Sequence, residues 1–425
     1  MTGVSRRRFL TRSLTTLGAG GAGAAAVALS DGGAAHAADD GSLLAQSRRL
    51  GLRELEVRVP FDGRHQAGVL TTRPAQATYL ALDAIAPVRA QLFEALQALS
   101  TRARQLAQGT AAGVAAVDEP PPDSGVLGGW DAPDSLTVNV SFGHSLFDGR
   151  YGLAGHRPRH LTPMRAFAHD ELDPARCGGD VLLQIAAGQR DTVMHTVREL
   201  MREVGGALAV RWMLDGFQAA HRDRDPRSST RNLFAFRDGT ANPPSHDAAM
   251  MDRLVWAQRG AGEPPFAADG TYVIVRIIRQ HVEFWDRVGM IEQERIIGRE
   301  RLSGAPLGGD SEFQNPDFAS DPHGRRIPLD AHIRLANPRT PATADQRMIR
   351  RSYSYDRGVD EAGDLDCGLI FTAYNQNPRR QFETIQARLE NEPMIDYITP
   401  VGGGYFFAPR GARGPGDWVG SGLQA

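Results

Sequence analysis

The order of hydrophobic and polar residues along the chain predicts a series of strands and helices. Apolar residues at every second position predict strands, and apolar residues three or four positions apart predict helices. In the first half these patterns predict a strand-like run at 57–70, a helix at 83–106, strands at 136–140 and 181–187, a helix at 191–204 that Asp191 caps, and a strand at 207–212. The Gly-, Ala- and Pro-rich segment 109–129 predicts a long loop.

The second half has the same order of elements without a repeat in the sequence itself. Strands are predicted at 272–278, 350–355, 369–374 and 405–407, and helices at 282–297 and 378–389. Both halves fit the order βαββαβ, which is the ferredoxin-like motif. Because a sheet must bury one face, two facing antiparallel sheets with helices outside would bury both. We therefore predict an α+β fold with an N-terminal half at 51–230 and a C-terminal half at 231–412.

Composition narrows the class of protein. Hydrophobic residues make up 41% and charged residues 23% of 425 residues, which is typical of a globular chain of two domains. The net charge of −2 gives no general attraction to nucleic acid or anionic membranes. Cys177 and Cys367 form no CxxC pair, which disfavours zinc and iron–sulfur sites. Two isolated buried thiols are the favoured interpretation, and a disulfide between them stays open.

The first 37 residues have the layout of a secretory signal. The basic string SRRRFL at 5–10 precedes a short Ala- and Gly-rich stretch, and AHA at 35–37 is a small-x-small cleavage signature. The pattern SRRxFL indicates the twin-arginine route, and the apolar stretch is too short for a stable membrane span. We therefore expect 1–37 to be a signal peptide, with the protein in the periplasm, outside the cell or at the cell envelope. A disordered basic tail is the alternative interpretation.

One histidine stands out among many that favour solvated or structural roles. His332 lies in the segment DAHIRLANPR at 330–339, where apolar and polar residues interleave after a Gly- and Pro-rich loop. No second histidine or carboxylate follows it at helical spacing, which does not fit zinc. A single imidazole does fit an axial haem ligand, because the opposite coordination position of the iron can stay open.

Two further segments carry candidate chemistry. In NLFAFRDGTANP at 232–243, Asp238 lies between aromatic residues and Gly239, so it is either an ordinary Asp-Gly turn or a proton-shuttling aspartate in an apolar pocket. In RMIRRSYSY at 347–355, strand alternation points one of Arg350 and Arg351 inward and the other outward. A buried arginine needs an anion, such as a haem propionate. A surface pair of arginines is the alternative.

These segments together resemble the dye-decolorizing peroxidase family, and specifically its exported branch of deferrochelatase/peroxidases. The resemblance spans nearly the whole chain after the signal. FDGRHQAG at 61–68 is similar to the family's opening strand, and PVGGGYFF at 400–407 is similar to its closing strand. Matching segments between them are FGHSLF at 142–147, LDP at 172–174, GDVLLQ at 179–184 and RWMLDGF at 211–217.

The resemblance implies a dimeric ferredoxin-like fold with haem b, one per chain, in the second half. It implies that His332 is the proximal iron ligand, Asp238 the distal acid–base residue and Arg350, the first of the arginine pair, the distal arginine. It also implies haem contacts for the residues Gly239, Thr240, Ala241, Asn337, Pro338 and Arg339, and a distal wall formed by Leu369 and Phe371. The family's GxxDG motif has Ala235 at its first position here. If that position needs a positive φ, alanine costs stability.

The function that these features favour is haem-dependent reduction of hydrogen peroxide coupled to oxidation of bulky phenolic or dye-like organic donors. Release of iron from haem, with partners from an iron-uptake system, is a further expectation from the resemblance. A haem carrier or iron-uptake accessory is the alternative, and it would need His332 but neither Asp238 nor Arg350. A chlorite-dismutase-like enzyme and a structural dimer without haem are weaker alternatives.

Overall fold

The strands of both halves are hydrogen-bonded to one another in a single sheet of nine strands. The computed structural model describes residues 51, 53–109 and 118–424, so the predicted signal at 1–37 lies outside the described residues. Within that described part, no helix is both long enough and apolar enough to cross a membrane. All pairings between the strands are antiparallel.

The N-terminal half places two helices between four strands. Its elements are β1 (Gln76–Ala84), α1 (Arg89–Gln108), β2 (Thr137–Gly143), β3 (Val181–Ala187), α2 (Arg190–Val204) and β4 (Leu208–Phe217). In the sheet the strands lie in the order β2-β3-β1-β4. Leu80 and Leu183 on one face of this sheet join a buried cluster with Leu92 of α1 and Val193 of α2. The helices therefore cover one face of the first half.

The C-terminal half has the strand order β9-β5-β8-β7, with β6 beside β8. Its elements are α3 (Ala248–Leu254), β5 (Thr271–Gln280), α4 (Val282–Trp285), α5 (Met290–Ile297), α6 (His332–Ala336), β6 (Ile349–Arg350), β7 (Tyr353–Val359), β8 (Leu365–Asn375), α7 (Thr384–Leu389) and β9 (Ile398–Ala408). A π-helical turn, Arg379–Glu383, leads into α7.

Two narrow seams close the strands into a barrel-like ring. Strand β2 pairs with β9 at Phe142↔Phe407 and Gly143↔Phe406, and β4 pairs with β7 at Phe217↔Ser354. The remaining face of the sheet buries a cluster with residues from both halves, including Tyr79, Leu214, Tyr353 and Tyr374. The fold is thus α+β, with the two halves sharing one sheet and a common core.

Several predicted boundaries were wrong. No strand forms at 57–70, where the Gln66 side chain instead bonds the backbone N–H and C=O of Val140. The first strand, Gln76–Ala84, was not predicted. The first helix begins only at Arg89, because Pro87 disfavours helical backbone at Ala86 and leaves Ile85 and Val88 exposed.

Further differences are local. The predicted helix 282–297 is divided into α4 and α5, with Gly289 as the N-cap of the second. Asp191 lies in the first turn of α2, whose N-cap is Gln189. The predicted strand 350–355 is interrupted between β6 and β7. Cys177 and Cys367 are both free thiols, and burial raises the pKa of both, that of Cys367 to about 11.

Candidate active site

A cavity of about 250 Å³ in the C-terminal half is lined by the residues that the sequence predicts to form the site. Three other cavities in the described residues measure about 10, 30 and 120 Å³. Every predicted site residue lines the large cavity: Asp238, Gly239, Thr240, Ala241, His332, Asn337, Pro338, Arg339, Arg350, Leu369 and Phe371. Segments more than 100 residues apart in the chain therefore meet at one place.

His332 is the first residue of the five-residue helix α6. Its Nδ1 atom lies 2.7 Å from Oε2 of Glu392, a carboxylate with only 3% of its side chain exposed. Burial by itself lowers the pKa of His332, but the charge and hydrogen bond of Glu392 outweigh it, so the pKa is raised. A carboxylate on one ring nitrogen fixes the ring orientation and leaves Nε2 as the nitrogen that can ligate a metal.

Asp238 and Arg350 form an ion pair at the cavity. Nη1 of Arg350 donates to Oδ1 of Asp238 at 3.1 Å, and the two side chains are 28% and 17% exposed. The amide of Asn242 holds Arg350 by its backbone: Nδ2 donates to the carbonyl at 2.8 Å, and Oδ1 accepts from the N–H at 3.1 Å. The pair therefore combines a carboxylate that can exchange a proton with a fixed cation.

The arginine pair differs from the prediction in one respect. Arg350 lines the cavity, but Arg351 does not point to solvent: it is 6% exposed, and its guanidinium donates to the backbone carbonyl of Thr71. Arg350 ends β6 at the cavity, and Arg351 follows it and contacts Thr71 of the N-terminal half.

Ala235 adopts the positive φ that its motif position suggested. Its φ is +65°, in a tight turn where Oδ1 of Asn232 accepts from the N–H groups of Phe234 and Phe236 at 3.1 and 3.3 Å. The ring of Phe234 stacks on Trp285 with centroids 4.6 Å apart. The turn is thus held in an apolar cluster, and a non-glycine residue bears the backbone strain.

Comparison with known proteins identifies the family. The Dyp-type peroxidase N-terminal domain matches residues 66–218, and the Dyp-type peroxidase C-terminal domain matches residues 229–413. The deferrochelatase of Escherichia coli strain K12 is 46% identical over 366 residues, which is 86% of each chain. The chain belongs to the Dyp-type peroxidase family. It is accordingly a haem peroxidase, an oxidoreductase.

Solved structures of Dyp-type peroxidases agree in fold. The enzyme from Cellulomonas bogoriensis is 35% identical, with 87% of this chain and 99% of that chain covered and a TM-score of 0.77. Ferric DtpA from Streptomyces lividans is 33% identical, with 87% and 98% covered and a TM-score of 0.78. This Dyp-type peroxidase therefore shares its mixed helix and strand architecture with them.

The walls of the cavity suit the haem of a Dyp-type peroxidase. The arginines Arg299, Arg339, Arg347 and Arg388 line it, and none of them forms an ion pair with a carboxylate among the residues described. Burial lowers the pKa of each, that of Arg299 to about 10. The buried Nε atoms of Arg339 and Arg347 lack an acceptor within the same residues. Anionic propionates would offset this uncompensated positive charge.

Among the cavity residues of this Dyp-type peroxidase that were not predicted from the sequence, four carry charge near the proposed haem site: Glu392, Arg299, Arg347 and Arg388. Glu392 lies 60 residues from His332, and the sequence has no pattern that links the two. Arg347 lies in the segment RMIRRSYSY at 347–355, where only Arg350 is predicted to be a site residue. The lack of a carboxylate partner, which is common to these arginines among the described residues, becomes visible only in three dimensions.

Proposed function

We propose that this Dyp-type peroxidase reduces hydrogen peroxide and oxidises bulky phenolic or dye-like donors with one haem b per chain. The observation that carries the proposal is the placement of the Asp238–Arg350 pair in the same cavity as the His332–Glu392 pair. A cation and a proton acceptor beside one ligating imidazole are what heterolysis of a peroxide requires.

Each of these side chains has a role that its geometry supports. His332 would hold the iron through Nε2 while Glu392 keeps the imidazole oriented. Haem, when bound, supplies the iron and the redox equivalents. Asp238 would accept the proton from the inner oxygen of hydrogen peroxide and return it to the outer oxygen. Arg350 would stabilise the negative charge that develops as the O–O bond breaks.

The remaining predicted residues would contact the haem. Gly239, Thr240 and Ala241 continue the segment that carries Asp238, and Asn337, Pro338 and Arg339 follow helix α6. Leu369 and Phe371 lie two positions apart on β8, so their side chains share one face of the strand. We propose that this face forms the distal wall.

Release of iron from haem is a second candidate function. Relatives 46% identical to this chain carry the name deferrochelatase, which favours it, and iron-uptake components would then be partners. A haem carrier without turnover is the alternative, but it gives no reason for Asp238 and Arg350 to face the same cavity as His332.

We further propose that residues 51–230 and 231–412 are two ferredoxin-like halves. Their strand orders, β2-β3-β1-β4 and β7-β8-β5-β9, correspond strand for strand. A homodimer is proposed from the resemblance alone.

Export by the twin-arginine route is proposed because the sequence has the arginine pair Arg6 and Arg7 in the pattern SRRxFL. Replacing both with lysine should keep the protein in the cytoplasm, and normal export of that variant would contradict the proposed route.

The visible spectrum of the purified protein and its turnover with peroxide test the central proposal. The wild type should show a Soret band and oxidise a phenolic donor only when peroxide is added. His332→Ala should lose the haem or shift the band strongly. A Soret band without peroxide-dependent turnover would favour the carrier. Appearance of free porphyrin with released iron would favour the deferrochelatase function.

A further inference from the structure

A buried carboxylate lies behind the segment that carries Asp238. Glu312 is 5% exposed, and its Oε1 accepts from the N–H of Ser229 at 3.0 Å and from Oγ1 of Thr240 at 2.7 Å. Its Oε2 lies 3.2 Å from Nε of Arg237. Arg237 and Thr240 stand immediately before and two positions after Asp238 in the chain. The carboxylate therefore contacts the segment on both sides of the proposed acid–base residue.

Glu312 lies on a second loop, which begins at Arg299. Nη1 of Arg299, which lines the cavity, donates to the backbone carbonyl of Glu312 at 2.9 Å. Arg237 is 4% exposed and completes its pairing with Asp223, at 2.6 and 2.7 Å. The loop from 299 to 312 is thus tied to the segment 229–240 chiefly by charged side chains.

Backbone hydrogen bonds and a bridge between Arg231 and Arg237 hold the turn that precedes Asp238. The N–H of Asp238 donates to the carbonyl of Thr230 at 3.0 Å, but Gly239 follows with a φ of +113°, and Ala235 precedes with a strained φ of +65°. A proton-transferring group has to stay within about 0.5 Å of its productive position. The side-chain contacts of Glu312 therefore add a restraint at Thr240, beyond the backbone bonds of the turn.

We infer that Glu312 is a positioning residue that holds Asp238 in register with Arg350 and the peroxide site. This inference rests on the proposed acid–base role of Asp238. Glu312 does not line the cavity, so it acts through Thr240, Ser229 and Arg237 and not by contact with peroxide or haem. A purely structural role, in which Glu312 only neutralises Arg237 and Arg299, is the competing explanation.

Rapid-mixing kinetics of the haem-loaded protein with hydrogen peroxide test the inference. Glu312→Ala should slow the peroxide reaction about tenfold, since misplacement by about 1 Å can cost up to about a hundredfold. Glu312→Gln should recover part of the rate, because its amide oxygen can still accept from Thr240 and Ser229. Glu292→Gln, at an exposed position on α5, is the matched control and should react at the wild-type rate. An unchanged rate in Glu312→Ala would overturn the inference.

A double-mutant cycle separates positioning from a structural role. If Glu312 acts through Asp238, then Glu312→Ala should cause no further loss in an Asp238→Asn background. A full tenfold loss in that background would overturn the inference while leaving the proposed function intact. Wild-type speed in Asp238→Asn alone would instead contradict the acid–base role of Asp238 in the proposed function.

Amide hydrogen exchange gives a readout that does not depend on activity. In the haem-free protein, Glu312→Ala should speed exchange in peptides covering 229–240 and leave β3 peptides at 181–187 unchanged. Thr240→Val removes one donor to Glu312 without removing the charge, and it serves if Glu312→Ala does not fold. It should produce the same local effect to a smaller degree. Unchanged exchange at 229–240 in both variants, or an equal rise across the protein, would contradict the inference.

Discussion

At the level of single residues, Asp238 and Arg350 lie 3.1 Å apart, and their proposed roles differ. Asp238→Asn keeps the side-chain shape and removes the proton acceptor, so the peroxide step should slow by about a hundredfold or more. In this variant the rate of the peroxide step should also depend much less on pH. Arg350→Leu should slow the step by about a hundredfold across the whole pH range, because arginine is charged at every accessible pH.

Stopped-flow formation of oxidised haem, measured against pH for both variants, checks this division of roles. If Asp238→Asn reacts as fast as wild type while Arg350→Leu does not, arginine is the essential group and the acid–base role is wrongly assigned. If neither substitution matters, the two residues do not form the distal site.

The backbone strain at Ala235, three positions before Asp238, predicts that glycine at this position stabilises the protein. Because a φ of +65° costs alanine more than glycine, Ala235→Gly should raise the free energy of unfolding by up to about 1 kcal/mol. Ala98→Gly, in the middle of α1, should lower it by about the same amount. Urea unfolding of the haem-free protein measures both. Destabilisation by Ala235→Gly would show that the methyl group contributes more by packing than it costs in strain.

At the level of elements, the helix that carries His332 needs support from outside itself. Helix α6 has five residues, and a helix that short is not stable alone. Nε of Arg388, on α7, donates to the carbonyl of Leu335 at 2.8 Å, and its Nη2 donates to that of Ala336 at 3.3 Å. These bonds satisfy carbonyls at the C-terminal end of α6 and orient the helix.

Arg388→Ala should therefore loosen the haem without removing its ligand. We expect haem transfer to an excess of apomyoglobin to become about tenfold faster, since losing a charge-assisted hydrogen bond costs about 1.5 kcal/mol or more. Arg379→Ala, at an exposed position before α7, is the control and should transfer haem at the wild-type rate. Equal transfer rates in Arg388→Ala and wild type would show that α6 is oriented by Glu392 alone.

The same elements show what a sequence can and cannot predict. Strand β3 was predicted with both bounds correct, because all of its side chains are buried and all but Gln184 are apolar. The segment 57–70 failed because its polar Gln66 is buried by side-chain bonds to β2 that mimic strand pairing. All the predicted site residues line the cavity, because they were predicted from the resemblance to a family to which the chain belongs. Glu392 and Arg388 contact helix α6 although they lie 60 and 52 residues from their partners His332 and Ala336 in the chain. No pattern in the sequence links them to that helix.

At the level of the whole molecule, closure of the sheet had no counterpart in the sequence. The seam between β2 and β9 joins Phe142 to Phe407, and the seam between β4 and β7 joins Phe217 to Ser354. Each half alone suggested a separate sheet, since the pattern of apolar residues does not say which edge strands meet. Closure removes edges that could otherwise pair with other chains, and it creates a core common to both halves.

That common core is unusually rich in tyrosine, which predicts how the molecule fails at high pH. Tyr79, Tyr353, Tyr355 and Tyr374 have no exposed surface. Tyr79 and Tyr374 both bond the side chain of Gln184, at 3.0 and 2.6 Å. Burial raises the pKa of all four phenols, that of Tyr353 to about 12. In the unfolded chain the same phenols have a pKa of about 10.

Because the folded pKa values lie above the unfolded ones, the unfolded chain loses protons first as pH rises. The stability from keeping these phenols neutral is therefore complete below about pH 10 and is lost as pH rises above it, up to about pH 12 for Tyr353 and further for the other three, by about 1.4 kcal/mol per pH unit for each tyrosine. Absorbance of tyrosinate near 295 nm should rise together with loss of near-ultraviolet circular dichroism, in one cooperative step. Tyr353→Phe should make the fall in unfolding free energy with pH less steep, by the contribution of one tyrosine, which is about 1.4 kcal/mol per pH unit. Reversible ionisation of the core tyrosines near pH 10, with the circular dichroism intact, would mean that the common core opens to solvent without unfolding, and the two narrow seams would be where to look for that opening.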